Sequence, residues 1–394
     1  MTTRRALVSG LAAIALAMAA AGYALSRGND GAAAARWAGE SCKAVVLEPR
    51  FAAPARAARR LVPRMKRAFG APGLQMSVAV DGKVVWSEVC GFADVRSRRP
   101  VTRTTLFRIG SVSKPFTGAA LARLVQAGRV KLDTPVQRLV PEFKATQPVT
   151  LRQLAAHQGG VRHYAGGEAL GRTRYKNLAA AIGVFATDPL LFKPGTDFLY
   201  SSYGFNLIGV AIERVVQASY GRALRREVLT LLGLTLTGLD EPRRAGTATF
   251  YEIRGDRSAV RAPLVDLSNR YPSGGLVSTA EETARFASMI GNPTFLKKDV
   301  QAVFFREQRL PGGRRTGTAL GWEIGESPVG VVLGRTGNVV GGTAFVLSHP
   351  ASRVAIAMTT NVGWVTAPTP PELGPSVPQP PQLLFPFIEA AARG

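Results

Sequence analysis

Ser111 and Lys114 stand three residues apart in Arg108-Ile109-Gly110-Ser111-Val112-Ser113-Lys114-Pro115-Phe116-Thr117. An extended piece, Thr105-Leu106-Phe107, runs into them, and a helical pattern from Pro115 to Gln126 follows. At that spacing on the first turn of a helix the two side chains share a face, so an amine comes within reach of a hydroxyl. Serine is a weak nucleophile until a neighbouring base takes its proton, and a desolvated lysine can be that base. The helix start adds unpaired N–H groups and positive potential where an oxyanion would form.

Two more stretches carry chemistry. Tyr200-Ser201-Ser202 follows the turn Lys193-Pro194-Gly195-Thr196-Asp197, and Gly334-Arg335-Thr336-Gly337 closes a late strand expected over 330–335. A phenol is a poor base at neutral pH unless a cation stands beside it, and Lys114 is such a cation.

These residues need elements to hold them. Asp81-Gly82 between Leu74–Val80 and Lys83–Ser87 is a strong hairpin signal, so the folded part begins with antiparallel strands. Residues 56–69 suit a helix bent at Pro63. Residues 130–240 read as mostly helical, with one long helix from Gly204 to Leu232. Ser278-Thr279 offers a cap for a helix over 281–290. Strands are expected over 319–324, 330–335, 342–348 and 354–360, and a helix over 383–393, after a proline-rich stretch. Strands at both ends and helices between them predict an α/β (α+β) fold. Its antiparallel sheet is built from both chain ends and flanked by helices, with a mostly helical lobe inserted at about 130–270 and a cleft at the junction.

Composition narrows the classes. The 394 residues, 46% apolar and 19% charged, describe a globular chain. The net charge of +24 comes mainly from scattered arginines, with no dense basic run interleaved with aromatics, so nucleic acid is not the expected partner. Such a surface should still be drawn to anionic polymers and lipid headgroups. Three histidines (His157, His163, His349) are too few and scattered for a metal cage, and no cofactor is expected.

Arg4-Arg5 followed by the apolar stretch 6–25 reads as a targeting segment. It is either a signal peptide over 1–26, with small-residue cleavage sites at 19–21 and 32–34, or an anchor giving membrane association. Both place the folded part outside the cytoplasm, in the periplasm or extracellular space. Residues 27–55 read as a linker. Cys42 and Cys90 fit one disulfide or two buried thiols equally well.

In this order the three motifs resemble the serine β-lactamase and penicillin-binding-protein superfamily, in its class C-like branch of β-lactamases, D-alanyl-D-alanine peptidases and esterases. Connecting signatures agree over about residues 60–365: Leu154-Ala155-Ala156-His157-Gln158-Gly159-Gly160, Pro272-Ser273-Gly274-Gly275 and Leu320-Gly321-Trp322-Glu323. Val136 to Tyr164 is similar to the mitochondrial β-lactamase-like serine protease and its bacterial relatives.

The resemblance implies a β-lactamase/DD-peptidase-like fold over 56–365, with residues 366–394 adding the proline-rich segment and a helix on the sheet. It implies that Ser111 is acylated while Lys114 and Tyr200 move protons. Backbone N–H groups of Ser111 and Asn338 would form the oxyanion hole. Arg335 and Thr336 would hold a substrate carboxylate, and Gly337 would let the strand approach the substrate. Arg335 replaces the family's usual Lys or His, and Ser202 its usual asparagine, which points away from efficient β-lactam hydrolysis. His157 and His163 fall in a structural turn of the family and are given no role. The expected activity is an exported serine hydrolase acting on a peptide, amide, ester or β-lactam-like substrate, small or cell-wall derived. The alternative is a silent member that binds such ligands or forms a scaffold.

Overall fold

The computed structural model describes residues 42–254, 258–363 and 380–393. The targeting segment, and most of the proline-rich stretch, lie outside them.

Seven antiparallel strands make the main sheet: β1 Cys42–Val46, β2 Gly73–Val80, β3 Lys83–Asp94, β4 Glu323–Ser327, β5 Gly330–Val339, β6 Gly342–His349 and β7 Val354–Thr360. Their order is β1-β3-β2-β7-β6-β5-β4, with the two-residue strand Arg99–Pro100 beside β3. The two chain ends meet where β2 pairs with β7. Asp81 and Gly82 both take positive φ (48° and 78°), the geometry a two-residue hairpin needs to follow strand twist.

Side-chain alternation assigns the two faces. On one, Ala344, Val346, Ala355 and Ala357 meet the helices, including α3 Ser113–Gln126 and α5 Ala280–Met289. Alanines there let the helices come close. On the other, Phe345, Leu347, Ile356 and Met358 pack against α1 Ala52–Arg59, α2 Val62–Ala68 and α6 Pro380–Ala392. Phe387 of α6 stacks on Trp86 (5.9 Å between centroids) and Phe51 (6.1 Å), a burial worth roughly 1.5–3 kcal/mol. The helical lobe lies between β3 and β4 in the chain, with α4 Ser202–Val216 at its centre.

Several expectations need correction. Residues 42–55 are not linker: Cys42–Val46 is an edge strand, and Cys42 is disulfide-bonded to Cys90 opposite it. The helix expected over 56–69 is two helices, and Pro63 sits in the first turn of α2, where a missing N–H costs nothing. The long helix to Leu232 stops at Val216, because Gln217 turns left-handed (φ 55°). The strand expected over 319–324 begins only at Glu323, because Gly321 (φ 89°) makes a turn against the Lys114 carbonyl. β5 runs on to Val339, so Arg335-Thr336-Gly337 lies inside the strand.

Among the described residues no helix is long and apolar enough to cross a membrane.

Candidate active site

Gly110–Val112 forms a single 3-10 turn that leads into α3. Gly110 takes φ 50° there, and a Cβ on it would stand 2.9 Å from the Asn338 amide nitrogen. The turn and β5 are therefore in backbone contact. Arg108 fastens this join from behind, donating to Asp240 Oδ2 (2.7 Å) and to the Val340 carbonyl (2.8 Å). β4 pairs β5 only as far as Gly334, so the edge from Arg335 to Val339 is uncovered by strand pairing on the side that meets the turn. Gly337 is required at this edge: a Cβ would lie 2.0 Å from the Ile109 carbonyl oxygen and 2.9 Å from the Ser111 amide nitrogen.

Lys114 points from α3 into the junction with no solvent exposure. Its Nζ lies 2.8 Å from the Ser273 carbonyl, 3.1 Å from Ser202 Oγ and 3.1 Å from Ser111 Oγ. Burial, helped by the Arg335 charge and opposed by Glu323, holds the ammonium well below the usual lysine range. A neutral amine has two N–H groups and one lone pair. Donating to Ser273 and Ser202 leaves the lone pair for the Ser111 hydroxyl. Ser273 is held in turn, because Thr117 Oγ1 donates to the neighbouring Pro272 carbonyl (2.6 Å).

Tyr200 reaches the same point from the helical lobe, its hydroxyl 2.6 Å from Ser111 Oγ. Its ring lies under Lys114 Nζ (4.7 Å to the centroid). Ser201 caps α4, accepting from the Gly204 amide (3.0 Å) while donating to the Arg162 carbonyl (2.7 Å). Ser202 is buried on the Lys114 amine, so the hydroxyl that replaces the family's asparagine faces the lysine. Thr336 is half-buried and Asn338 exposed at the open edge of β5.

Arg335 does not occupy the place expected of a carboxylate clamp. It is 2% exposed, with Nη1 3.1 Å from Glu323 Oε1 and Nη2 3.1 Å from His157 Nε2, and it lies over the Tyr200 ring (5.1 Å). The β4–β5 register is the reason, since it sets Glu323 opposite Gly334.

His157 and His163, given no role from sequence, both flank Tyr200, with centroids 4.6 Å and 5.3 Å away. His157 Nδ1 faces the Ser201 amide (3.1 Å) as Nε2 faces Arg335. Nδ1 accepts from the Ser201 amide, so in the neutral ring Nε2 carries the hydrogen and packs against Arg335 Nη2 without accepting from it, and a second proton on Nδ1 would set N–H against the Ser201 N–H as well. Burial and the Arg335 charge hold His157 well below the usual histidine range. His163 Nδ1 accepts from the Ser202 amide (3.2 Å), and burial pushes its pKa down to about 4. Glu323 and the histidines could have been flagged as polar residues within otherwise apolar signatures, but nothing local ties them to Tyr200.

The family model described as Beta-lactamase matches residues 58–364. The chain belongs to the beta-lactamase family. It is 31% identical over 309 residues to the human protein named "Serine beta-lactamase-like protein LACTB, mitochondrial", covering 60% of this chain and 56% of that one. The chain therefore spans little more than half the length of that relative. Among solved structures it resembles an octameric penicillin-binding protein homologue from Pyrococcus abyssi (TM-score 0.67, 24% identity, 78% of this chain and 73% of that). It also resembles a class C beta-lactamase (TM-score 0.66, 20% identity, 81% and 94%). At these identities the structures show a common fold, the mixed antiparallel sheet and helices described above. Family membership supports serine hydrolase-type activity.

Proposed function

We propose that this chain is a serine hydrolase that forms an acyl-enzyme on Ser111 with an ester, amide, peptide or β-lactam-like substrate. The observation that carries the reading is the convergence on Ser111 Oγ of the buried Lys114 amine (3.1 Å) and the Tyr200 hydroxyl (2.6 Å). Lys114, held well below the usual lysine range by burial, takes in its neutral form the Ser111 proton as Oγ attacks the carbonyl carbon. The backbone N–H groups of Ser111 and Asn338, beside each other across the turn, are the donors for the developing oxyanion; a donor of this kind is worth roughly 10²–10³ in rate. The proton passes through Tyr200 to the leaving group. Water then attacks the acyl ester with the same groups in reversed roles. The half-buried Ser111 and the open strand edge support access by an extended substrate.

The Cys42–Cys90 disulfide supports a place outside the reducing cytoplasm, as the targeting-segment reading expects. Cell fractionation checks this point, with recovery in the cytosol as the contrary result.

A fluorescent fluorophosphonate and a fluorescent penicillin test the activity. At least one should label the wild type and neither should label Ser111→Ala. If a panel of such probes leaves folded wild type unmodified, the hydrolase reading fails and a binding or scaffold role takes its place.

A further inference from the structure

The cation of the third motif is turned into the protein, paired with Glu323 through one Nη and with its Nε buried and without a hydrogen-bond partner. A guanidinium recognises a carboxylate through a pair of parallel N–H donors, and Arg335 gives one Nη to Glu323 while the other is packed against the His157 ring. At 2% exposure it has no face on the cleft. A substrate carboxylate could reach it only by displacing Glu323, whose carboxyl is pushed up from the usual range by burial and which Arg335 holds as its ion-pair partner. The aromatic ring of Tyr200 also stands between, with the guanidinium 5.1 Å from its centroid.

Resting on the reading of Ser111 as the acylated nucleophile, we infer that Arg335 is a positioning residue locked behind Tyr200 by Glu323 and His157. The site therefore takes acyl donors that carry no free carboxylate beside the scissile bond: neutral esters and internal amides. The same lock gives Arg335 a different task. Its fixed charge lies beside Tyr200 and near Lys114, where it favours the neutral amine. The groups facing Lys114 are Ser111, Ser202 and the Ser273 carbonyl, with the charges of Arg335 and Glu323 behind them; the depressed His157 and His163 rings add none at neutral pH.

The test uses two fluorophosphonates that differ only in a carboxylate or its methyl ester on the arm, at high ionic strength so that the basic surface does not sort them. The ester probe should label Ser111 faster, on the order of tenfold, because an unpaired carboxylate pays desolvation. Equal or faster labelling by the acid probe overturns the inference while leaving the hydrolase reading intact. No labelling by either removes both. Arg335→Gln should slow both probes by the same factor and move the alkaline rise of the rate to higher pH, and Arg335→Lys should restore part of it. A selective loss of acid-probe labelling in Arg335→Gln would show a clamp and overturn the inference. Should that variant not fold, Glu323→Gln frees the guanidinium and should shift the labelling ratio toward the acid probe; an unchanged ratio counts against the lock.

Discussion

The imidazole of His157 packs on the ring of Tyr200, centroids 4.6 Å apart, while its Nε2 faces Arg335 and its Nδ1 the Ser201 amide. One neutral ring thus packs between the cation of β5 and the loop that carries the phenol, hydrogen-bonded to the loop through Nδ1. His157 touches neither Ser111 nor Lys114 in this arrangement, so its effect on chemistry runs through Tyr200. His157→Phe keeps a ring of similar shape and loses both polar contacts. It should lower kcat by about 10–100-fold with little change in KM, since small misplacement of a reacting group has costs of that order. A change confined to KM would remove the positioning role.

Lys114→Met replaces a buried amine by an apolar chain of similar length. Labelling of Ser111 should slow by roughly 10³-fold or more, about 4 kcal/mol of barrier. Stability should hold or rise, since the variant no longer buries an amine. Near-wild-type labelling would exclude Lys114 as the base.

On the proposed mechanism the neutral form of Lys114 is the active one, and burial depresses its folded pKa, so the rate of Ser111 labelling should climb with pH. Below that pKa the amine is protonated and cannot take the proton, and above it the rate is level. The midpoint should lie well under the ordinary value of 10.5. Stopped-flow labelling across pH measures it, and a midpoint near 10.5 is the contrary result.

Gly337→Ala forces a Cβ to 2.0 Å from the Ile109 carbonyl, so β5 and the Ser111 turn must part. Labelling should fall by at least ~100-fold, as expected for a displaced site. An active variant with an unshifted Tm would show that the close approach is dispensable.

Glu88, 2% exposed on β3, has its pKa raised by burial to about 7, with Arg59 opposing at 3.7 Å. Between pH 4.5 and 7 the folded chain holds this proton and the unfolded chain does not, so this group's contribution falls as pH rises. Above pH 7 the penalty is complete, on the order of 3 kcal/mol. Glu88→Gln should therefore raise Tm relative to wild type at pH 8 and leave it nearly unchanged at pH 4. Equal shifts at both pH values would dismiss the buried-carboxylate penalty.

Cys42→Ser opens a loop closed across 48 residues and should cost about 4 kcal/mol by the chain-entropy estimate. Denaturant titration of the variant against the oxidised protein measures the loss. A difference under about 1 kcal/mol would mean that β1 contributes little beyond its pairing with β3.

Local patterns in the chain carry much of this protein. Asp81-Gly82 marks its hairpin, Ser111 and Lys114 mark a shared helix face, and a helical block between two strand-forming ends implies one sheet with a lobe set into it. Those readings rest on interactions within a few residues, where spacing decides geometry. The interruptions at Gln217 and before Glu323 depend on single left-handed residues, which flanking hydrophobicity does not reveal. The edge strand Cys42–Val46 is not legible locally, because the residues of β3 that it pairs with lie 40–48 positions further along the chain.

The active groups divide in the same way. Ser111, Lys114 and Tyr200 were legible as types able to do nucleophilic chemistry, and their convergence bears on that reading. The place of Arg335 was not. Its guanidinium could face substrate or protein, and the choice belongs to Glu323, set opposite Gly334 by strand register, and to His157, brought from the helical lobe. Burial then makes the decision: a charge removed from water must take the partners packed around it, and only the tertiary structure determines which those are.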